Sequence, residues 1–295
     1  MRKRFYTLLS ILSAVTLSPL FIFPLGIAND ITNILFLVYP FLPFLSLLII
    51  YRNRWGILWG MLHLSGGKNT LRTVIQSLLL WNLIFYGGLI LATLANVYSW
   101  DFQQGGLSNW LSERLNEFAD ANQVPIPILP LTTKQLAQLG VGVSVLAPFL
   151  LFPFFFVQEL VWRSWLPSQS KDQSLLALVK SNGVWGIWQV PLVLLGQIYS
   201  ESFLGIPAII ISAILQGTLL SLITQKTGSI FSATIARGVI FASVPLAIIF
   251  HAPGSTTSPF VVGFYGISSW TVMGGIIFWL HKKNTSRQDD IQRLK

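Results

Sequence analysis

The stretch FVQELVWRSWL, residues 156–166, closes a long and almost uninterrupted apolar run with a glutamate and an arginine set four positions apart. In a soluble chain such a pair would be ordinary surface chemistry. Here its setting decides the fold, because an apolar segment of about 20 residues is what a helix needs to cross a hydrocarbon core. Working outward from it, comparable runs recur at roughly 5–26, 32–51, 73–98, 136–160, 174–197, 206–224, 229–250 and 261–280. The expected fold is all-α, a polytopic membrane helical bundle of about eight transmembrane helices.

Composition agrees. Of the 295 residues, 53% are hydrophobic and 10% charged, with a mean hydropathy of +0.66, whereas an ordinary soluble domain is about 25% charged. The net charge of +9 could suggest nucleic acid as a partner. Its distribution argues instead for membrane orientation and for membrane lipids, because basic loops stay on the cytoplasmic side and attract anionic head groups. The eight segments place Arg2, Lys3, Arg4, Arg52, Arg54, Lys68, Arg72, Arg163, Lys171, Lys226 and the five basic residues from Lys282 to Lys295 on one side. The other side holds only Arg114 and Lys134. Both termini are therefore expected in the cytoplasm, with the first segment kept as an anchor. Which membrane this is has no signature in the sequence. Cysteine is absent, which excludes disulfides, thiolate metal sites and cysteine nucleophiles.

No repeat or long linker divides the chain, so a single membrane domain over 1–295 is expected. An external loop at about 100–133 carries GLSNWLSERLNEFAD, in which Leu107, Trp110, Leu111, Leu115 and Phe118 share one helical face. That pattern suits an amphipathic helix lying in the outer interface or covering the ends of the spans. Pro125, Pro127 and Pro130 stiffen the return to the membrane.

An ionisable side chain inside a span opposes insertion by about 2.5–3.5 kcal/mol, so each one is a functional suspect. Four are present: Glu159 and Arg163, Lys180, and Arg237. The first two share a helix face and can pair; taken alone they are better explained by an ion pair that locks helices together at the membrane surface than by chemistry. Lys180 can reach the cytoplasmic interface with its long stem. Arg237 lies about 12 Å from the start of its span and needs an acid, for which Glu159 is the expected partner. Gln158, Asn182, Gln189 and Gln216 are the accompanying amides.

QELVWRSWL (158–166), VWGIWQVPLVLL (184–195) and TGSIFSATIARGVIF (227–241) together resemble the three motifs of the CPBP family, the intramembrane CAAX-prenyl-protease and bacteriocin-processing (Abi) proteins. The resemblance covers about 149–250. It implies an activated water held by the first glutamate of motif one, and histidines of motifs two and three with an asparagine around a metal or the substrate carbonyl. In this chain those four places are Gln158, Gln189, Arg237 and Phe241. Retained are Glu159, Arg163 and the packing residues Trp162, Trp185 and Trp188. A neutral amide cannot take a proton from water, and a fixed guanidinium stands where a cation would sit. The three histidines, His63, His251 and His281, lie away from the motifs. No metal or other cofactor is therefore expected, zinc only if the chain is an active protease.

The resemblance with these replacements implies a pseudoprotease that works by binding, as chaperone, scaffold or regulator of another membrane protein or a peptide. The alternative is an intramembrane endopeptidase acting through Glu159. That residue is turned by about 100° from the lost base on a regular helix. A transporter or lipid-handling role is permitted by the buried polar residues, but no broken-helix pair or internal repeat asks for it.

Overall fold

The computed structural model describes residues 1–18, 38–54, 56, 60, 70–100, 133–170, 172, 174–194, 202–250 and 266–293. The external loop helix expected within 100–133, and with it the proline strut, lies outside the described residues, as do His63 and His251. Among the described residues every regular element is a helix: α1 (Arg2–Leu17), α2 (Leu42–Ile50, entered through a 3-10 turn at Tyr39–Phe41), α3 (Thr70–Leu94), α4 (Thr133–Leu150), α5 (Phe152–Glu159), α6 (Leu175–Leu194), α7 (Ser202–Thr227), α8 (Ile230–Ile249) and α9 (Ile267–Arg293). The fold is all-α.

Each of the eight expected spans overlaps a described helix, 136–160 overlapping two, and most boundaries agree within a few residues. By length and composition, Thr70–Leu94 and Leu204–Thr227 qualify singly as membrane-crossing, and Gln138–Leu150 with Phe152–Ser168 makes a third if counted as one broken span. The described helices thus offer two to three candidate crossings by this test and do not establish eight.

The segment 136–160, expected to be one helix, is interrupted at Leu151. The cause is local: Pro148 sits inside the last turn of α4 and Pro153 at the start of α5. Each removes a backbone donor and crowds the carbonyl four residues earlier. Beyond Glu159 the chain changes winding, and Leu160–Trp165 is a π-helix before a last α-turn at Leu166–Ser168. Single π-turns within α-helices are uncommon and concentrate at functional sites.

The described chain divides into two compact units, one of Met1–Ser77 with Phe152–Ile235 and one of Leu78–Leu151 with Ala236–Lys295. In the first, α6 and α7 form the most extensive helix pair. Small residues let the two backbones approach, as expected where the solvent is itself apolar and close packing must drive association. A Cβ on Gly186 would come within 2.9 Å of the Ile210 Cα, and one on Gly217 would overlap the Asn182 amide. α1 docks through Phe5, fully buried with its ring 4.8 Å from Trp165. Tyr51 accepts a hydrogen bond from the Trp165 indole at 3.0 Å. The turn from α7 to α8 uses Gly228 at φ +65°, a region that opposes a side chain by about 1–2 kcal/mol. Ser232 closes that turn onto the Ser229 carbonyl at 2.7 Å, and Ser77 donates to the Ser232 carbonyl at 2.6 Å.

The second unit is knit in the same way. Gly238 faces the Pro148 backbone, where a Cβ would lie 2.6 Å from Cα, and Gly140 receives the Phe250 ring. Tyr98 donates to the Ala247 carbonyl at 3.1 Å, and the Trp100 indole donates to Thr93 Oγ1 at 2.8 Å.

Candidate functional site

The first and second motif stretches meet around Arg163. Its Nε lies 3.1 Å from Glu159 Oε2, so the pair expected from the four-residue spacing is present across the start of the π-turn. Nη1 donates to Asn182 Oδ1 at 2.6 Å, and the guanidinium carbon lies 4.8 Å from the centre of the Trp185 ring. Arginine suits this site because its planar, forked cation can stack and make directional hydrogen bonds at once. Asn182 is oriented by its own helix: Nδ2 donates to the Leu178 carbonyl at 2.8 Å, which leaves Oδ1 for the guanidinium. Its side chain occupies the space that Gly217 leaves open on α7. Glu159, Arg163, Asn182 and Trp185 are all buried.

Tryptophans wall this cluster. Trp162 lies 6.5 Å from Trp185 and 5.7 Å from Trp188 between ring centres. Tyr39 stacks on Trp188 at 4.8 Å and donates its hydroxyl to the Trp188 carbonyl at 2.8 Å. The third motif joins through Phe231, whose ring stacks 5.6 Å from Phe156 and 5.5 Å from Phe152. The first two motif stretches therefore share aromatic contacts within the first unit, and the third packs on Phe152 and Phe156 of α5, just before motif one. Phe231, Asn182, Tyr39 and Phe5 complete the frame. The amide of Asn182 inside an apolar span was a readable signal; the aromatic residues had none to set them apart from ordinary core.

The positions tied by resemblance to catalysis differ. Gln158 is buried, and its amide turns back toward the Phe154 carbonyl at 3.5 Å, the long limit for a hydrogen bond. Gln189 is buried on α6. Arg237 and Phe241 stand on the part of α8 that belongs to the second unit; Arg237 is buried and Phe241 is 43% exposed. Taken one by one, none of the four is a good ligand for a divalent metal: two are neutral amides, one is a permanent cation and one a hydrocarbon ring. Among the described residues no three of His, Cys, Asp and Glu come together as a metal site.

Residues 137–251 match the family model described as type II CAAX prenyl endopeptidase, Rce1-like. This part of the chain is an Rce1-like domain. No curated protein and no solved structure matches the chain. The Rce1-like domain begins inside α4, ends just past α8, and contains every residue of the three motif stretches. Together with the helices that are long and apolar enough to cross a membrane, the match makes the chain an integral membrane protein with a CAAX-protease-like region at 137–251. The helices α1 to α3 precede the domain, and Phe5, Tyr39 and Tyr51 bring the first two of these elements and their connecting turns against its tryptophan wall.

Proposed function

We propose that the chain is a pseudoprotease of this family, working by binding another membrane protein or a peptide as its chaperone, scaffold or regulator. One observation carries the reading. The only acid of motif one is buried against Arg163, which is held in turn by Asn182 and Trp185, while the neighbouring place of the general base is Gln158. A carboxylate so engaged balances the charge of Arg163 on its own helix; a neutral amide cannot deprotonate water. The binding surface is assigned to the tryptophan-walled region of the first unit. Both termini are assigned to the cytoplasm from the distribution of basic residues.

The test is made on the full chain, solubilised mildly from native membranes. Expected are a membrane protein or peptide that copurifies, less than stoichiometric zinc, and no cleavage of a CAAX-type peptide by wild type or by Glu159→Gln. Stoichiometric zinc together with cleavage that Glu159→Gln abolishes would overturn the proposal in favour of an endopeptidase acting through Glu159.

A further inference from the structure

Away from the motif cluster, the first unit holds a cavity of about 210 Å³ where the start of α1, the turn after the π-helix and the start of α6 meet. Its charged lining is Arg2, Lys180 and Asp172, and its hydroxyls are Ser170 and Ser181. Arg2 is exposed, on a helix start that is docked by its neighbours. Phe5 is buried against Trp165, the Tyr51 hydroxyl lies 3.1 Å from Met1 Sδ, and the Arg2 guanidinium lies 5.8 Å from the Tyr6 ring centre.

Asp172 is already engaged in the start of α6. Its Oδ1 accepts from the Ser174 N–H at 2.8 Å, and Ser174 Oγ accepts from the Ala177 N–H at 3.2 Å. Among the described lining residues two cations stand against one carboxylate, a single net positive charge, which a phosphodiester neutralises. A choline or ethanolamine head would restore a positive charge; an uncharged polyol head would not, and the two serine hydroxyls can hydrogen-bond it.

The tail has a place too. Leu176 lines the cavity and is 61% exposed, and Val184, Ile187 and Leu194 continue the same exposed face of α6. From Leu176 to Ile187 that stripe runs about 17 Å, close to half of a hydrocarbon core of about 30 Å, which is the reach of one lipid's acyl chains. A free phosphate would use the charges alone.

We propose that the cavity is a binding site for an anionic glycerophospholipid with an uncharged polyol head, its phosphodiester between Arg2 and Lys180 and its acyl chains along α6. The site is separate from the motif cluster and does not depend on whether that cluster is catalytic.

The experiment is native mass spectrometry of the full chain in detergent, titrated with phosphatidylglycerol, phosphatidylcholine or glycerol 3-phosphate. Phosphatidylglycerol should be retained in preference to the other two, and Arg2→Gln/Lys180→Gln should weaken that retention about tenfold. Lys226→Gln, which removes an exposed cation elsewhere, should leave it unchanged. Each of Arg2→Gln and Lys180→Gln is measured singly as well, with thermal midpoints of the lipid-free proteins as a check on folding. Equal retention of phosphatidylcholine, equal binding of glycerol 3-phosphate, an unaffected double variant, or equal loss in Lys226→Gln would each overturn the proposal.

Discussion

Arg163 joins three kinds of contact in one side chain: an acid on its own helix, an amide on α6 and an aromatic face beside that amide. Removing one partner of a buried ion pair strands the other, at about 3–5 kcal/mol, whereas removing both is far milder. Glu159→Gln and Arg163→Met should therefore each lower stability by about that amount, and the double variant should recover most of it. Reversible unfolding in mixed micelles measures this cycle. Gly217 tests the same cluster from α7. Adding a methyl group there forces the Asn182 amide to move, so Gly217→Ala should destabilise by about 1–3 kcal/mol and lose part of that effect in an Asn182→Ala background. The pairing of Glu159 with Arg163 was legible because a four-residue spacing is a local rule. Asn182 was visible as an amide in an apolar span, but its tie to Arg163 was not, since nineteen positions separate them and only the approach of two helices makes them neighbours.

Helices were read well for a similar reason. Apolar runs bounded by charged or glycine-containing segments located α6, α7 and α8 with ends shifted by only a few residues. The break at Leu151 was written in Pro148 and Pro153 but overridden by the hydrophobicity around them. The π-turn at Leu160–Trp165 leaves no compositional trace, since it redistributes hydrogen bonds without demanding a residue type. One element makes a pH prediction. Asp172, exposed before α6, is held below its ordinary value of 3.8, first by the backbone N–H of Ser174 and then by the Ser174 side chain. A depressed carboxyl stabilises the fold above its unfolded value and loses that contribution as pH falls through the folded one. Wild type should melt above Asp172→Asn at pH 7, and the gap should close as the pH drops below 3.8. Melting curves of both proteins across that range decide it, and a gap unchanged at low pH would disprove the carboxylate's role.

For the whole molecule, the basic residues make the most global statement and the helices the most local. Because cysteine is absent, single cysteines can report topology without background. Cysteines placed at Arg54 and Lys226 should react with an impermeant maleimide only after the cytoplasmic face is opened, whereas one at Arg114 should react from outside. Labelling of Arg54→Cys and Arg114→Cys from the same side would sink the assignment. Composition sufficed for the class of this protein, since hydrophobicity sums over the whole chain. Which helices gather into which unit was not legible, because glycine contacts such as Gly186 with Ile210 and Gly238 with Pro148 depend on distant segments meeting.

The π-turn also acts as a rotational setting between two parts of one segment. Upstream of it stand Gln158 and Glu159; downstream stands Trp165, the indole on which Phe5 and Tyr51 seat the N-terminal helix. The wider winding of the π-turn takes up one extra residue, so deleting one residue within Leu160–Trp165 would let the segment wind as a plain α-helix and leave both Glu159 and Trp165 near their present azimuth. The same deletion in the regular winding of α5 has no such outlet and would swing everything beyond it by about 100°. A change of one residue in length is therefore absorbed at the π-turn, whereas one turn earlier it would rotate Trp165 away from Phe5 and unseat the N-terminal helix, and with it Arg2.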